Sequence, residues 1–454
     1  TDFITRYDNI TITPKKSTID DFTCYEWTSV KPAECKSESY MPPINECGMA
    51  VHVSTIKEWR TIAEWYRDTA LPQAKEDYNV NETYRRIFGD SVYATDRDKA
   101  KAIYNFICTN IRSSFVSFRQ SNFTPQTPMV TLSTQLGDCK DLSTLFFTLA
   151  RKAGLKTHLV LVNTRDNGEN AMQVPAVEFN HCIVLIDFPD GQVFQELTNP
   201  LLGFGIVPSD IVNAQALVIP NSADDTSGSS LIRISGKSAA VNAIMRKTTI
   251  TTRDKDLLIT TENTNHGTSA ADYRGYFYGL SKDELRESLK NYLSKQTGSN
   301  MILDTFSIQN LQKRDLPVTL SVSFRLDGEI KSIGGMKVVK IPFFEKIMTL
   351  DPFPDEKRVF PVLYWSYENV EDYETEITLD APPGTKFVEI PEGVALKTGF
   401  IDYSLKVDKL SDNKLKIVRS VKINRITLPA ARYDEFREAA KKVVKAEDLY
   451  VAYK

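Results

Sequence analysis

The chain has 454 residues, 41% of them hydrophobic and 25% charged, with 56 basic against 59 acidic residues and a formal net charge of -3. This length predicts two or three domains rather than a single core. A chain without a basic excess is not expected to bind nucleic acid. No run approaches the roughly 18 apolar residues of a membrane helix, so no transmembrane segment is predicted.

Residues 1–50 mix short β-prone pieces with prolines at positions 32, 42 and 43. Because a segment of this size rarely folds alone, we interpret it as the tail of an N-terminal β domain or as a packed arm. The start at Thr1, without a signal-type apolar segment, indicates a mature or trimmed chain. Cys24, Cys35 and Cys47 are close enough in sequence for one disulfide bridge, with free thiols as the alternative.

Residues 51–220 begin with helical patterns and continue with strands. Apolar residues at helical spacing predict three helices, at Ile56–Tyr66 with Ser54 as N-cap, at Asp96–Ile111, and at Leu142–Ala153 ended by Gly154. A loop with two prolines, Ser113–Leu132, precedes the third helix. Three apolar runs predict strands, at His158–Asn163, Asn180–Phe188 and Val193–Thr198. Helices followed by an antiparallel sheet are typical of an α+β domain.

The polar run Asn221–Ser230 predicts a linker over residues 221–231. From residue 232 to 454 the pattern is mostly strands separated by turns, which predicts a β-sandwich-type C-terminal domain. Two helices are predicted within it, Lys282–Lys295 with a Ser281–Glu284 capping box and Asp434–Lys445. The predicted strands are Ala239–Thr251, Leu257–Asn263, Leu316–Leu326, Met336–Val339, Glu374–Leu379, Tyr403–Val407 and Lys414–Val421.

Cys139 lies where the turn Gly137-Asp138-Cys139-Lys140-Asp141 becomes a helix. The unpaired N–H groups and the dipole of a helix start stabilise a thiolate, which is the nucleophilic form of cysteine. This position favours a nucleophile over a core thiol. For Asp138 and Asp141 we expect structural roles, as a helix-start anion and as a solvated residue.

His181 is the best candidate for the general base among the four histidines, since His52, His158 and His266 lie in less suitable places. Its neighbour Cys182 is expected to face the core. A carboxylate that orients the imidazole is available at Glu196. If Asp190-Gly191 formed a two-residue turn, Glu196 would lie about 13 Å along the strand from the level of His181 at ~3.3 Å per residue. Contact between Glu196 and His181 then requires strand twist, a bulge or a different register.

The run Gly137–Phe146, with Asn180-His181 and Glu196-Leu197-Thr198, resembles the transglutaminase-like superfamily. It is most similar to the bacterial branch whose core is flanked by uncharacterised N- and C-terminal β domains. The segments Phe115–Gln120 and Pro125–Pro128 are also similar to that branch. The resemblance implies a papain-like cysteine protease fold. It also implies export to the periplasm or cell surface.

The same resemblance implies a catalytic triad with Cys139 as nucleophile, His181 as acid/base and Glu196 in the third position, where the family usually has aspartate. The oxyanion donor of the family lies upstream of the cysteine, so Gln120 and Gln126 are candidates beside the Cys139 N–H.

We therefore expect a cysteine protease or amidase that acts on a peptide or protein through a Cys139 thioester. Two alternatives stay open, a weakly active or inactive binding or scaffold protein and a cross-linking transglutaminase. The chain has no CxxC, HExxH, acidic calcium loop, Walker loop or GxGxxG motif after a strand, so neither a metal nor a cofactor is predicted.

Overall fold

The computed structural model describes the chain except for residues 1, 30–35, 90, 115–122, 235–241, 298–300, 352, 354–356 and 368–369. The chain divides into two compact units. Unit 1 comprises Thr1–Pro200 with Phe204–Ala239, and unit 2 comprises Leu201–Gly203 with Ala240–Lys454. The division thus follows Ala239 rather than the expected linker at 221–231, because a strand just after that linker still pairs within unit 1.

The first residues of unit 1 form an arm with four strands and one short helix: β1 (Ile4–Asp8), β2 (Lys15–Ile19), β3 (Phe22–Glu26), α1 (Ile44–Cys47) and β4 (Ala50–Ser54). Strands β1 and β4 pair antiparallel, and β2 and β3 form a hairpin. The arm contacts the rest of unit 1, since Asn45 Nδ2 donates to Asn167 O at 2.9 Å and Glu46 Oε1 accepts from Glu169 N at 2.9 Å. Cys24 is a free thiol, and Cys35 lies outside the described residues.

Five helices follow: α2 (Trp59–Ala70), α3 (Tyr78–Phe88), α4 (Asp96–Asn110), α5 (Pro128–Thr134) and α6 (Cys139–Lys152). Helices α4 and α6 confirm their predictions. The predicted N-cap at Ser54 is wrong, because Ser54 ends β4 and its Oγ donates to Pro175 O at 2.6 Å, while Glu58 precedes α2. Helices α3 and α5 were not predicted, since α3 is largely polar and α5 begins at Pro128 in the proline-containing loop.

The sheet of unit 1 contains β7 (Lys156–Asn163), β8 (His181–Phe188), β9 (Gly191–Gln195), β10 (Gln215–Val218) and β11 (Ile232–Arg233), in the order β11-β10-β7-β8-β9. All neighbours are antiparallel, as predicted. One face packs with the helices, and α6 is buried from Cys139 to Ala150. The other face carries a second apolar cluster. A short parallel pair, β5 (Arg112–Ser113) and β6 (Leu136–Gly137), leads the chain to α6.

Unit 2 is rich in strands, as predicted, and contains an eight-stranded and a four-stranded sheet. The larger has the order β14-β15-β13-β12-β18-β22-β21-β20 and the smaller β16-β17-β23-β19. The strands are β12 (Ala243–Arg253), β13 (Asp256–Asn265), β14 (Met301–Gln309), β15 (Val318–Leu326), β16 (Lys331–Ile333), β17 (Met336–Lys340), β18 (Asp372–Asp380), β19 (Phe387–Glu389), β20 (Val394–Lys397), β21 (Ile401–Ser411), β22 (Lys414–Ile423) and β23 (Tyr450–Tyr453).

The helices of unit 2 are α7 (Gly267–Phe277), α8 (Lys282–Thr297), α9 (Tyr364–Tyr367) and α10 (Tyr433–Glu447). Helix α8 has the predicted capping box, in which Ser281 N donates to Glu284 Oε2 at 2.8 Å and Glu284 N to Ser281 Oγ at 3.4 Å. Helix α7 was not predicted, because its sequence contains two glycines and lacks a continuous apolar face.

Candidate active site

Cys139 is the first residue of α6, and a capping box immediately surrounds it. The Asp138 carboxylate accepts from Lys140 N at 3.1 Å and from Asp141 N at 3.2 Å, while Asp141 Oδ2 accepts from Asp138 N at 3.0 Å. Such reciprocal contacts satisfy the N–H groups that a helix start leaves without intrahelical acceptors. Gly137 leaves little room here for a side chain, because a Cβ at this position would lie 3.0 Å from Asp141 Cβ.

The N–H of Cys139 is not used by this cap. Of the four N–H groups from Asp138 to Asp141, those of Asp138, Lys140 and Asp141 donate to carboxylates. In the described part of the chain, no acceptor takes the N–H of Cys139. Cys139 itself is only 9% exposed. The nucleophile candidate therefore carries an N–H donor directly beside its sulfur in a largely buried position.

His181, the first residue of β8, forms an ion-pair contact with Glu196, which follows β9. Nε2 of the imidazole lies 2.6 Å from Glu196 Oε2, and the two side chains are 15% and 2% exposed. The hairpin register brings them together. The turn consists of Pro189-Asp190, so that Phe188 pairs with Gly191.

The expected turn at Asp190-Gly191 is therefore wrong by one residue, and each position of β8 is consequently paired with a residue two places earlier than expected. Continued to the end of β8, the observed register puts His181 at the level of Thr198. Glu196 is then about 7 Å away along the strand, at ~3.3 Å per residue, instead of about 13 Å. The length of the two side chains spans this distance, since Nε2 of His181 and Oε2 of Glu196 lie 2.6 Å apart.

The Glu196 carboxylate is anchored on both oxygens. While Oε2 faces His181, Oε1 accepts from Leu197 N at 3.0 Å, from Thr198 N at 2.5 Å and from Thr198 Oγ1 at 2.5 Å. Burial disfavours the charged form, but the His181 charge and these hydrogen bonds lower the pKa of Glu196 to about 2. A buried, ionised glutamate thus stands in the third position, for which the resemblance implies an aspartate.

Cys139 and Glu196 both act on the imidazole of His181. Burial of the ring works against its charge, but the Glu196 carboxylate and side-chain hydrogen bonds with Cys139 and Glu196 raise the pKa of His181 well above its ordinary value. Because Glu196 occupies Nε2, the nitrogen available to the sulfur is Nδ1. Cys139 and Glu196 thus both influence the charge of the His181 ring, while the catalytic roles of the three residues stay a prediction.

Cys182 is a core residue, as predicted from its place beside His181. It is 1% exposed, and Tyr66 Oη lies 3.9 Å from its sulfur. Its carbonyl accepts from Ser143 Oγ at 3.1 Å, which ties the sheet to α6 one turn after Cys139. Burial raises the pKa of Cys182 well above its ordinary value, so this thiol stays protonated.

Gln120 and Gln126 are the two glutamines predicted as oxyanion donors. Gln120 lies outside the described residues. Gln126 is placed at the start of α6, where its backbone N donates to Asp141 Oδ1 at 2.8 Å and its Nε2 to Asp141 Oδ2 at 3.1 Å. Its oxyanion role stays a prediction.

Three charged residues beside Cys139 are buried. Asp138 and Asp141 are 3% and 1% exposed, so the expectation of a solvated Asp141 is wrong. Burial raises the pKa of Asp141, although hydrogen bonds from Gln126 and Asp138 act in the opposite direction. Lys140, 2% exposed, pairs with Asp138. Sequence reasoning missed Lys140, because a lysine in the first turn of a helix is normally solvated.

Within the described residues, no group of three or more His, Cys, Asp or Glu side chains is arranged to hold a metal ion. Nor does any helix there have the length and apolar character needed to cross a membrane.

Two family models match parts of the chain. The model of the transglutaminase-like superfamily matches residues 88–195, which include Cys139 and His181 and end directly before Glu196. The model of a domain of unknown function, DUF3858, matches residues 335–450. No curated protein matches the chain.

Among solved structures, the chain is similar to the crystal structure of a "putative protease" from Parabacteroides distasonis. The two share 11% sequence identity at a TM-score of 0.58, and the match covers 100% of this chain and 70% of the other. At this identity the likeness shows the fold. The chain thus contains a transglutaminase-like superfamily domain at residues 88–195, followed by a DUF3858 domain at residues 335–450.

Proposed function

We propose that unit 1 is a cysteine hydrolase that cleaves amide bonds of a peptide or protein substrate. The observation that carries this proposal is the 2.6 Å contact between His181 and the buried Glu196 carboxylate, on an imidazole whose pKa the Cys139 side chain also raises. A nucleophile, a base within hydrogen-bond reach of it and a third group that orients the base are the arrangement needed for nucleophilic catalysis.

In the first half of the reaction, the Cys139 thiolate attacks the carbonyl carbon, a C–S bond forms and the carbonyl oxygen becomes an oxyanion. When the C–N bond breaks, the leaving nitrogen takes a proton from the His181 imidazolium, and a thioester remains. In the second half, water attacks the thioester and gives a proton to His181, and the C–S bond breaks. Glu196 stays ionised throughout and stabilises the imidazolium.

The oxyanion needs preorganised donors at about 2.7–3.1 Å. The Cys139 N–H fits this role, because it is the N–H of the capped turn for which no acceptor is found among the described residues. Gln126 supports it as a second donor, since its side-chain amide is held at the same helix start and only one of its two N–H bonds points to Asp141.

The test is hydrolysis of fluorescently labelled casein together with acetylation of Cys139 by p-nitrophenyl acetate. We expect Cys139→Ala to abolish both and His181→Ala to reduce both by at least about 1000-fold, since triad members act as a unit. Cys182→Ala serves as the matched control and should keep a reactive Cys139.

A fluorescent primary amine added to the casein reaction distinguishes the alternatives. Incorporation of the amine in preference to hydrolysis would show a cross-linking transglutaminase. A folded wild-type protein whose Cys139 is neither acetylated nor alkylated faster than Cys108 would contradict catalysis and leave the binding or scaffold alternative.

A further inference from the structure

The buried charges beside the nucleophile have no part in the reaction steps above. Asp138, Lys140 and Asp141 are all nearly inaccessible, and the Lys140 ammonium contacts Asp138 and lies 4.0 Å from Asp141 Oδ1. Burying charged groups is unfavourable unless they are paired and hydrogen-bonded. Because the buried Asp141 carboxylate cannot serve solubility, its role must lie in the contacts it makes.

Asp141 accepts more hydrogen bonds than a helix cap requires. One comes from Asp138 N at 3.0 Å and closes the capping box. The other two come from the backbone N and side-chain Nε2 of Gln126, at 2.8 and 3.1 Å, fifteen residues earlier in the chain. Asp141 therefore ties the segment that enters α5 to the turn that carries Cys139.

The side chain of Gln126 is exposed, so its hydrogen bond to the buried Asp141 carboxylate restricts its rotation. An exposed glutamine side chain is free to rotate, and fixing it loses conformational entropy at every encounter with substrate. Two hydrogen bonds to one buried carboxylate hold both its backbone and its amide at the helix start. The amide is then oriented before substrate arrives, which is what an oxyanion donor requires.

We propose that Asp141 is a positioning residue for the oxyanion site, which it builds by holding Gln126 at the start of α6, where the described residues offer no acceptor to the N–H of Cys139. The inference rests on the proposed function, since it concerns the acylation of Cys139. Asp141 itself touches neither the substrate nor the reacting atoms. Its effect passes through Gln126 and through the turn from Gly137 to Cys139.

Two reagents separate this role from a purely structural one. Acetylation of Cys139 by p-nitrophenyl acetate passes through a tetrahedral oxyanion, while alkylation by iodoacetamide is a direct displacement at carbon and forms none. A residue that only maintains the fold or the reactivity of the sulfur affects both rates. One that positions an oxyanion donor affects acetylation alone.

Asp141→Asn keeps the size of the side chain but places an amide N–H₂ against a donor of Gln126 or Asp138. We expect the acetylation rate of Cys139 to fall by about 10–100-fold, somewhat less than loss of a complete oxyanion donor. Alkylation should change by less than about 3-fold. Peptide mass mapping assigns both reactions to Cys139, and thermal unfolding confirms that the variant is folded.

Gln126→Ala is the second variant and keeps the test decisive if Asp141→Asn does not fold, because it removes only an exposed side chain. It should also lower acetylation selectively, and the double variant should be no slower than the slower single variant. Asp68→Asn, at a position 67% exposed on α2, is the matched control and should behave as wild type.

Equal losses in acetylation and alkylation, or no loss in a folded variant, would overturn the positioning role while leaving the proposed function intact. A wild-type Cys139 that p-nitrophenyl acetate fails to acetylate would instead overturn the proposed function itself.

Discussion

The contact between His181 and Glu196 depends on the length of one side chain. The carboxylate reaches the imidazole at 2.6 Å although its backbone lies about two residues from the level of His181. Aspartate, which is usual at this position in the family, is shorter by one methylene, about 1.5 Å. At this strand register, the longer side chain of glutamate spans the separation between the backbone of residue 196 and the His181 imidazole.

Glu196→Asp should therefore reduce the reactivity of Cys139, although it keeps the carboxylate. We expect the acetylation rate of Cys139 to fall roughly 100-fold, as is typical when a catalytic group is displaced by about 1 Å. The control is Glu82→Asp on α3, where the side chain is 45% exposed. Wild-type rates in Glu196→Asp would show that the carboxylate does not orient His181 through direct contact.

The same pair predicts a pH dependence of stability. The pKa of His181 is raised above 6.5, so its contribution is complete below pH 6.5 and is lost as pH rises through the raised value. The pKa of Glu196 is lowered from 4.5 to about 2, so its contribution is complete above pH 4.5 and is lost as pH falls through about 2. The pair is therefore most stabilising between pH 4.5 and 6.5.

Urea unfolding of wild type and Glu196→Gln at about pH 2, 5.5 and 10 measures this. The difference in the free energy of unfolding should be largest near pH 5.5, about 1–3 kcal/mol for a buried group left without its partner, and smaller at both extremes. A difference that is constant with pH would contradict the ionised pair.

At the level of elements, the start of α6 combines a helix cap with a buried ion pair. Asp138 supplies both, since its side chain accepts from two backbone N–H groups and contacts the Lys140 ammonium. Helix caps alone contribute about 0.5–2 kcal/mol. Removing one partner of a buried ion pair is more destabilising, by about 3–5 kcal/mol.

Asp138→Ala should accordingly lower the free energy of unfolding of unit 1 by more than a cap alone does, by about 3 kcal/mol or more. The matched control is Ser281→Ala, which removes the exposed cap of α8 and should cost about 0.5–1 kcal/mol. Urea unfolding followed by circular dichroism checks both. Similar losses in the two variants would show that the Lys140 pair adds nothing.

At the scale of the whole molecule, the named residues of the candidate site fall within one compact unit, unit 1. Cys139, His181, Glu196 and Gln126 all lie within Thr1–Pro200. They come from a helix start, a strand start, the end of a hairpin and a loop, which one antiparallel sheet and one buried helix hold together. Unit 2 contributes none of them, and its DUF3858 region is separate in sequence from the transglutaminase-like domain.

Much of this arrangement could be predicted because its signals are local. The Gly-Asp-Cys turn, the apolar face of α6 and the strands around His181 are each set by residues a few positions apart, through capping, periodicity and turn chemistry. Helix α5 was not predicted because its local signals are ambiguous, since its proline-containing sequence also suits a loop.

Only the tertiary structure decided which distant groups meet. Pairing Phe188 with Gly191 rather than Pro189 with Gln192 brings Glu196 within reach of His181, although the local preference of Asp-Gly for hairpin turns favours the second pairing. The burial of Lys140 and Asp141 likewise depends on the packing around α6 and on Gln126, fifteen residues away from Asp141. The sequence by itself determined the chemical groups and the local frame that holds each one. Their distances, exposure and charge states follow from long-range packing, because burial and proximity belong to the assembled core.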